Sequence, residues 1–443
     1  MASAAEQLAA NLNFRSFARA EELKKRLWFT LGALVVYRLL TYIPLPGIDP
    51  VALEQFFQQS AGGVLDMFNM FSGGALERMS IVALNIMPYI SASIIMQLLT
   101  SMSPSLAELK KEGELGRKKI NQYTRYGTVL LTAVQGYGLA ATLEGQGLVI
   151  DPGMFFRLST VITLVGGTMF LMWLGEQITA RGVGNGISLI IYAGIVALLP
   201  SGIGQALSLG EQGALSPGGI VLILVGAVAL IFAIVFVERG QRRIVVQYPK
   251  RQQGNRMFQG DSSHLPLKLN TAGVIPPIFA SSLLLMPVTV AGFSAQDGGP
   301  EWMNTVTALL GHGQPLYIAL YMAGIIFFAF FYTAIVFNPE ETADNLKKYG
   351  GFVPGIRPGA RTAEYLDYVL TRLTTVGAIY LAIVCVIPEV LIANYGIPFY
   401  LGGTSLLIVV NVTMDTVGQI HSHLMAHQYE GLIKKSRLRG GRK

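Results

Sequence analysis

The side chains that could catalyse a reaction or bind a metal ion are few in this sequence. His423 and His427 stand one helical turn apart, but together with His421 we interpret them as solvated side chains at a cytoplasmic helix end. Cys385 is the single cysteine, so no intrachain disulfide can form. Residues 182–186 are glycine-rich but follow no predicted strand, so they predict a turn and not a dinucleotide-binding loop. We expect no catalysis, no metal and no cofactor.

Branched aliphatic side chains flanked by small residues are the more informative set. The pattern P-x-I-x-A-S occurs at residues 88–93 and 276–281, and G-x-S-L-[IL]-I occurs at residues 186–191 and 403–408. A ring of such side chains can close a pore by dewetting, and its soft surface can also close around a chain of any sequence. Periodicity alone leaves lipid-facing or core packing as an alternative. The candidate ring consists of the isoleucines in these motifs and their neighbours one turn away: Ile86, Ile90, Ile187, Ile191, Ile278 and Ile408.

Composition indicates that these motifs lie in a polytopic membrane protein. The chain is 52% hydrophobic and 13% charged, whereas soluble proteins carry about 25% charged residues. A basic N-terminal segment precedes a first apolar run that we interpret as a retained span and not a cleaved signal peptide. Ten runs have about the length needed to cross a bilayer: residues 27–43, 79–100, 126–143, 158–175, 186–207, 218–237, 271–291, 315–337, 373–388 and 397–414.

The positions of the basic residues predict the orientation. All of the 33 Lys and Arg residues except Arg38, Arg78 and Arg157 fall in the N-terminal segment, the even-numbered loops or the C-terminal tail. The positive-inside rule therefore places both termini in the cytoplasm. Arg38 lies inside the first run, and we interpret it as reaching towards the membrane surface.

The two repeated motifs predict an internal duplication. The second copy of each motif lies five runs after the first copy, and the two motifs keep the same order. Because five is odd, the two halves would have opposite topology, with a functional site where they meet. The predicted domains are a cytoplasmic arm, two halves and a basic tail. The arm covers residues 1–26, the halves 27–207 and 208–420 (with cytoplasmic loops at about 238–270 and 338–372), and the tail 421–443.

A short segment before the second run is expected to enter the membrane region and turn back. Residues 65–74 are too short to cross a bilayer, yet they are apolar and end in glycines. Irregular backbone at membrane depth survives only where protein or a water-filled cavity surrounds it. We therefore expect residues 65–74 to lie inside a cavity of the protein.

Two other classes of protein compete with a channel at this stage. A secondary solute transporter also has inverted repeats, but it normally carries charged residues within its spans, and this chain carries almost none. A membrane-embedded enzyme would require a paired nucleophile and base within the spans, and no such pair is seen.

Six longer motifs give the chain a resemblance to the SecY family, the bacterial protein-conducting channel, along nearly its whole length. They are residues 69–74 (NMFSGG), 88–93 (PYISAS), 184–188 (GNGIS), 237–243 (VERGQRR), 337–346 (FNPEETADNL) and 355–359 (GIRPG). The resemblance implies an all-α polytopic fold in the bacterial inner membrane. Ten transmembrane helices would form two inverted five-helix halves, with a central hourglass pore and a re-entrant plug.

The same resemblance implies roles for particular residues. The six isoleucines fall at the family's pore ring, and Ser91, Ser93, Ser281 and Ser282 would line a lateral gate, although helix packing explains these serines equally well. Asn85 stands beside the ring where a small residue such as glycine is expected. The plug would contain Leu65, Met67, Phe68, Asn69, Met70, Phe71, Ser72 and Gly73.

The basic cytoplasmic loops are expected to bind partners. Their charge suits RNA phosphates or an acidic protein face, although cytoplasmic topology alone also explains it. The resemblance implies a docking site shared by the ribosome and the motor SecA, formed by Arg242, Arg243, Lys250, Arg251, Arg256, Arg357 and Tyr429.

The implied function is that of the central pore-forming subunit of the Sec preprotein translocase. It would conduct unfolded secretory proteins and release transmembrane segments sideways into lipid. A partner must supply the energy, because no nucleotide site is recognisable. The implied partners are SecE and SecG in a heterotrimer, SecA, the ribosome, signal peptides, nascent or unfolded chains, SecD, SecF, YidC and anionic lipids.

Overall fold

The computed structural model describes a mostly helical chain over residues 20–59, 69, 71–211, 217–248, 251–253, 256–258, 262–284, 309, 314–395 and 402–440. The first seven helices are α1 Glu21–Leu40, α2 Pro50–Gln59, α3 Met87–Met102, α4 Pro104–Lys111, α5 Glu114–Gly145, α6 Met154–Arg181 and α7 Gly186–Glu211. The remaining helices are α8 Pro217–Glu238, α9 Ile275–Leu284, α10 Pro315–Val336, α11 Pro339–Lys348, α12 Ala360–Tyr395 and α13 Gly403–Gly440.

Several of these helices can cross a membrane. Four helical segments are long and apolar enough, and the bent pair α3 and α4 gives a fifth if it counts as one span. Large side chains such as Trp28, Phe232 and Phe236 are more than 70% exposed, as is typical of helices that face lipid. The chain is therefore a membrane protein. Each of the ten apolar runs overlaps a described helix, while the count of ten spans stays a prediction.

Both copies of each repeated motif begin a helix. Pro88 and Pro276 are the second residues of α3 and α9. In the first turn of a helix the backbone nitrogen has no hydrogen-bond acceptor within the helix, so a proline there removes no hydrogen bond. Gly186 and Gly403 are the first residues of α7 and α13. A Cβ atom would lie 1.9 Å from the Gly175 carbonyl oxygen at Gly186, and 2.1 Å from the Val384 carbonyl oxygen at Gly403. Both glycines thus allow a helix to start against the backbone of the preceding long helix, while the internal duplication stays a prediction.

The loop after α8 contains four strands that the all-α prediction omits. Strand β1 (Gln241–Gln247) pairs antiparallel with β4 (Ser262–Lys268), and β2 (Arg251–Gln253) pairs with β3 (Arg256–Phe258). In β1 only Ile244 and Val246 are buried, so the alternation covers too few residues to stand out in the sequence.

The largest hydrophobic cluster lies where most of the long helices meet. It contains side chains from α1, α3, α6, α7, α8, α9, α10, α12 and α13, and also Phe71 from the chain before α3. Its fully buried members include Tyr37, Ile86, Ile190 and Ile325. We call it the central cluster.

Candidate functional site

All six candidate pore isoleucines lie in the central cluster or pack against it. Ile86, Ile90, Ile191 and Ile408 are buried members, while Ile187 and Ile278 are half-buried against it. They come from the first turns of α3, α7, α9 and α13, or from the residue directly before α3. The sequence is thus sufficient to select side chains that the fold brings together, but their role in a pore stays a prediction.

A short segment before α3 contributes to the same cluster; it is helical at Phe71 and Ser72 and turns at Gly73 and Gly74. We call residues 71–74 the seal segment; all four of its residues are buried, and Phe71 belongs to the central cluster. Asn69, just before it, is buried as well. The other predicted plug residues, Leu65, Met67, Phe68 and Met70, lie outside the described residues.

Three side chains donate hydrogen bonds to three consecutive carbonyl oxygens of the seal segment. Asn85 Nδ2 donates to Phe71 at 2.6 Å, and Tyr37 Oη donates to Ser72 at 3.2 Å. Arg38 Nη1 donates to Gly73 at 2.6 Å. A buried carbonyl must find a donor, because leaving it unpaired costs about 1–3 kcal/mol. The carbonyl groups of Phe71, Ser72 and Gly73 are therefore satisfied by the surrounding protein, as membrane depth requires.

The seal segment is also closed on itself. Ser72 Oγ donates to the Asn69 carbonyl at 3.0 Å and accepts from the Leu76 amide at 3.2 Å. The Gly74 amide donates to the same Asn69 carbonyl at 3.0 Å. Gly73 has φ +68° and Gly74 has φ +80°, a left-handed conformation that glycine adopts without a steric penalty.

Two glycines let the seal segment touch α7 backbone to backbone. A Cβ atom on Gly73 would lie 2.8 Å from the Gly194 Cα, and one on Gly194 would lie 2.9 Å from the Phe71 carbonyl oxygen. Sequence reasoning missed Gly194, whose only signal is a glycine within an apolar run.

Tyr37 and Arg38 were also missed as site residues. Arg38 is half-buried, and the guanidinium that we interpreted as reaching for the membrane surface bonds to Gly73 instead. It also donates to Tyr42 Oη at 3.1 Å, and the Tyr42 ring lies between the guanidinium groups of Arg38 and Arg78, 5.0 and 4.3 Å from its centroid. The sequence signal that could have identified Arg38 is its position as a lone arginine within an apolar run.

The four gate serines form two separate pairs. Ser91 and Ser93 are half-buried on α3, whereas Ser281 and Ser282 are buried on α9. Ser281 Oγ donates to the Ile278 carbonyl of its own helix at 2.9 Å. No hydrogen bond joins the two pairs within the described part of the chain, so their role in a gate stays a prediction.

An open cavity is lined in part by Ile187, one of the six candidate pore isoleucines. Its volume is about 320 Å³, and its lining includes Tyr89 and the ion pair between Arg125 and Glu176. The two charged groups approach to 2.7 Å and join α5 to α6. One of the six candidate isoleucines thus lines a cavity that also contains charged side chains.

The basic loops after α8 and α10 fold together into one unit. Gln247 and Phe352 exchange two backbone hydrogen bonds of 2.9 Å, although they lie far apart in sequence. Ile244, Leu267, Val353 and Leu366 form a small core between the loops. We call residues 241–248, 262–268 and 351–366 the hairpin body.

The hairpin body carries three of the predicted docking residues in exposed positions: Arg242 and Arg243 on β1, and Arg357 in the loop before α12. Lys250 lies outside the described residues. Arg251 and Arg256 lie in β2 and β3 and Tyr429 lies in α13, but their side chains are not among those described.

Comparison with known proteins identifies a matching family model and closely similar sequences. A sequence model of the SecY family matches residues 80–417. The chain is 58% identical over 425 residues to the protein translocase subunit SecY of Vibrio cholerae serotype O1, covering 95% of this chain and 96% of that protein. The corresponding subunit of Escherichia coli K12 is 58% identical over 423 residues, with the same coverage.

Solved structures share the fold at lower identity. A protein-conducting channel aligns with a TM-score of 0.62 at 18% identity. A SecY structure whose plug domain stabilises the closed state and maintains a membrane seal aligns with a TM-score of 0.60 at 19% identity. Sec61 from a canine ribosome-channel complex aligns with a TM-score of 0.59 at 18% identity. Each alignment covers 90% of this chain and 92% of the other.

Proposed function

Because the chain belongs to the SecY family, we propose that its six clustered isoleucines form the constriction through which unfolded proteins pass. The chain is a subunit of a protein translocase that forms a protein-conducting channel, and it is not an enzyme. This identity replaces the solute-transporter alternative. The observation that carries the proposal is the convergence of these isoleucines with Phe71 in one apolar cluster.

We infer that the seal segment closes this constriction at rest. Aliphatic side chains repel water, but a ring wide enough for an unfolded chain needs a further barrier against ions. The seal segment supplies that barrier with Phe71, while donors from α1 and from the turn before α3 satisfy its carbonyl groups. Residues 65–70 would extend the same plug.

The remaining assignments complete the proposal. Ten helices cross the bacterial inner membrane with both termini in the cytoplasm, as the distribution of lysine and arginine indicates. The serines of α3 and α9 line a gate through which apolar segments reach lipid. SecE and SecG complete the heterotrimer.

The hairpin body is proposed to receive the ribosome or SecA. Its exposed arginines suit the phosphates of RNA or an acidic protein face. The Sec61 relative of the same fold is bound to a ribosome, which supports a ribosome-facing role for this channel.

The constriction is tested by glycine replacement of Ile86, Ile90, Ile278 and Ile408 together. Removing these side chains widens the ring, so the resting ion conductance of the reconstituted channel in planar bilayers should rise.

The matched control replaces four more exposed isoleucines with glycine: Ile95, Ile162, Ile379 and Ile383. This control should leave conductance near the wild-type value. Equal conductance in the two quadruple variants would overturn the assignment of the constriction.

A further inference from the structure

Asn85 adopts a backbone conformation that glycine would adopt more easily. Its φ is +49°, and among the described residues it shares a positive φ with only one other non-glycine residue, Met79 at +42°. Asparagine tolerates this left-handed region better than most residues, but glycine tolerates it without cost. The turn into α3 alone therefore does not require an asparagine side chain.

The side chain of Asn85 contacts both the seal segment and α1, where it also interacts with the Tyr37 hydroxyl. It is 2% exposed, and its Nδ2 donates to the Phe71 carbonyl at 2.6 Å, in the seal segment. Its Oδ1 accepts no hydrogen bond within the described part of the chain. The Nδ2 bond is thus the link from Asn85 to the seal segment, and an apolar environment makes such a bond costly to lose.

Asn85 lies between the seal segment and the start of α3. Ile86, the next residue, belongs to the central cluster and precedes α3, which carries Ser91 and Ser93. The other two donors to the seal segment, Tyr37 and Arg38, both lie on α1. Asn85 is therefore the donor that connects the seal segment to the helix proposed to line the lateral gate.

We propose that Asn85 is a latch that couples the seal segment to α3. A displacement of the start of α3 by an entering apolar segment withdraws the amide from the Phe71 carbonyl. The seal segment then loses its bond to the start of α3, keeps its bonds to α1, and leaves the constriction more readily. The strength of this one hydrogen bond sets part of the resting closed population, and the inference rests on the proposed function of the seal segment.

The variant Asn85→Gly tests the latch cleanly. Glycine keeps the left-handed turn without strain, so the variant removes the donor while the backbone retains its path. The loss of one buried hydrogen bond should raise the resting open probability of the reconstituted channel in planar bilayers about tenfold. The labelling rate of a Ser72→Cys reporter by a membrane-impermeant thiol reagent should rise by a similar factor, with Cys385 buried in both backgrounds.

The matched control is Met79→Gly, at the other non-glycine residue with positive φ. Met79 is also 2% exposed, but it belongs to a different hydrophobic cluster. This variant loosens packing near the seal segment without removing a donor to it, so its open probability should stay well below that of Asn85→Gly.

Two results would overturn the latch alone. In the first, Asn85→Gly has the same open probability as the wild type although deletion of residues 65–74 raises it; the proposed seal then stands without the latch. In the second, Met79→Gly opens as often as Asn85→Gly, which would assign the effect to loosened packing. If neither Asn85→Gly nor the deletion changes conductance, the proposed function of the seal fails together with the latch.

Discussion

The seal segment and the hairpin body use polar groups in opposite ways. Around the seal segment, the side chains of Tyr37 and Asn85 are buried and directed at backbone carbonyl groups of the same chain. On the hairpin body, Arg242 and Arg357 are exposed to solvent. The first arrangement holds one internal conformation, whereas the second offers charge to a molecule from outside.

This contrast separates the two kinds of control that a protein channel needs. A buried hydrogen bond in apolar surroundings resists opening until the geometry of a neighbouring helix changes. Exposed charges cost little to maintain and act mainly on the rate and orientation with which a partner arrives. Changes at the seal segment should therefore alter the resting ion conductance even when no partner is bound. Changes at the hairpin body should alter only the rate of export that depends on a partner.

Deletion of residues 65–74 should have the largest effect. The deletion removes the proposed barrier together with all three hydrogen-bonded carbonyl groups. Resting ion conductance of the reconstituted channel should rise by more than tenfold, while binding of soluble partners is unchanged. A deletion variant whose resting ion conductance equals that of the wild type would contradict the distinction between the two regions.

A charge reversal in the hairpin body, Arg357→Glu, should lower the rate of motor-dependent export severalfold. The exposed side chain packs against no core, so the variant should fold and assemble normally. Export kinetics into inverted membrane vesicles measure the effect, and resting conductance should not change.

Arg361→Glu is the control for that variant, since it makes the same charge change at an exposed position four residues further along the chain. A rate loss for Arg361→Glu equal to that for Arg357→Glu would indicate a diffuse electrostatic field in place of a specific contact.

Tyr37→Phe should have the smallest effect. It removes one hydroxyl donor to the Ser72 carbonyl and keeps the aromatic ring in the central cluster. One neutral buried hydrogen bond contributes about 0.5–1.5 kcal/mol, so the resting open probability should rise about threefold. Tyr123→Phe on the exposed face of α5 should leave it unchanged. Reduced export without added leak in Tyr37→Phe would contradict the separation of the two regions.

Five of the six candidate isoleucines occur in repeated motifs and Ile86 lies one turn before Ile90, so residue type and spacing were enough to select them. Ile90 and Ile278 occupy the same place in P-x-I-x-A-S, and both copies begin a helix. Apolar run lengths and the positions of the basic residues likewise predicted a polytopic membrane protein. These features depend on residue type and spacing, which the sequence states directly.

The contacts of the seal segment could not be predicted in the same way. The acceptors for Tyr37, Arg38 and Asn85 are backbone carbonyl groups, which every residue has and no residue type marks. The pairing of Gln247 with Phe352 also joins backbone groups that are far apart in sequence. The sequence predicted the segment itself from its apolar residues and glycines, but not the side chains that bond to it.

The central claim, that the six isoleucines surround the moving chain, is tested most directly by site-specific crosslinking during translocation. A photoreactive residue replaces Ile278, and a secretory protein is stalled midway by a folded domain at its end. The control carries the same residue at Leu283, which is 54% exposed on the same helix. The account predicts crosslinks from position 278 to the stalled protein and few from position 283. Crosslinks from position 283 alone, or from neither position, would contradict it.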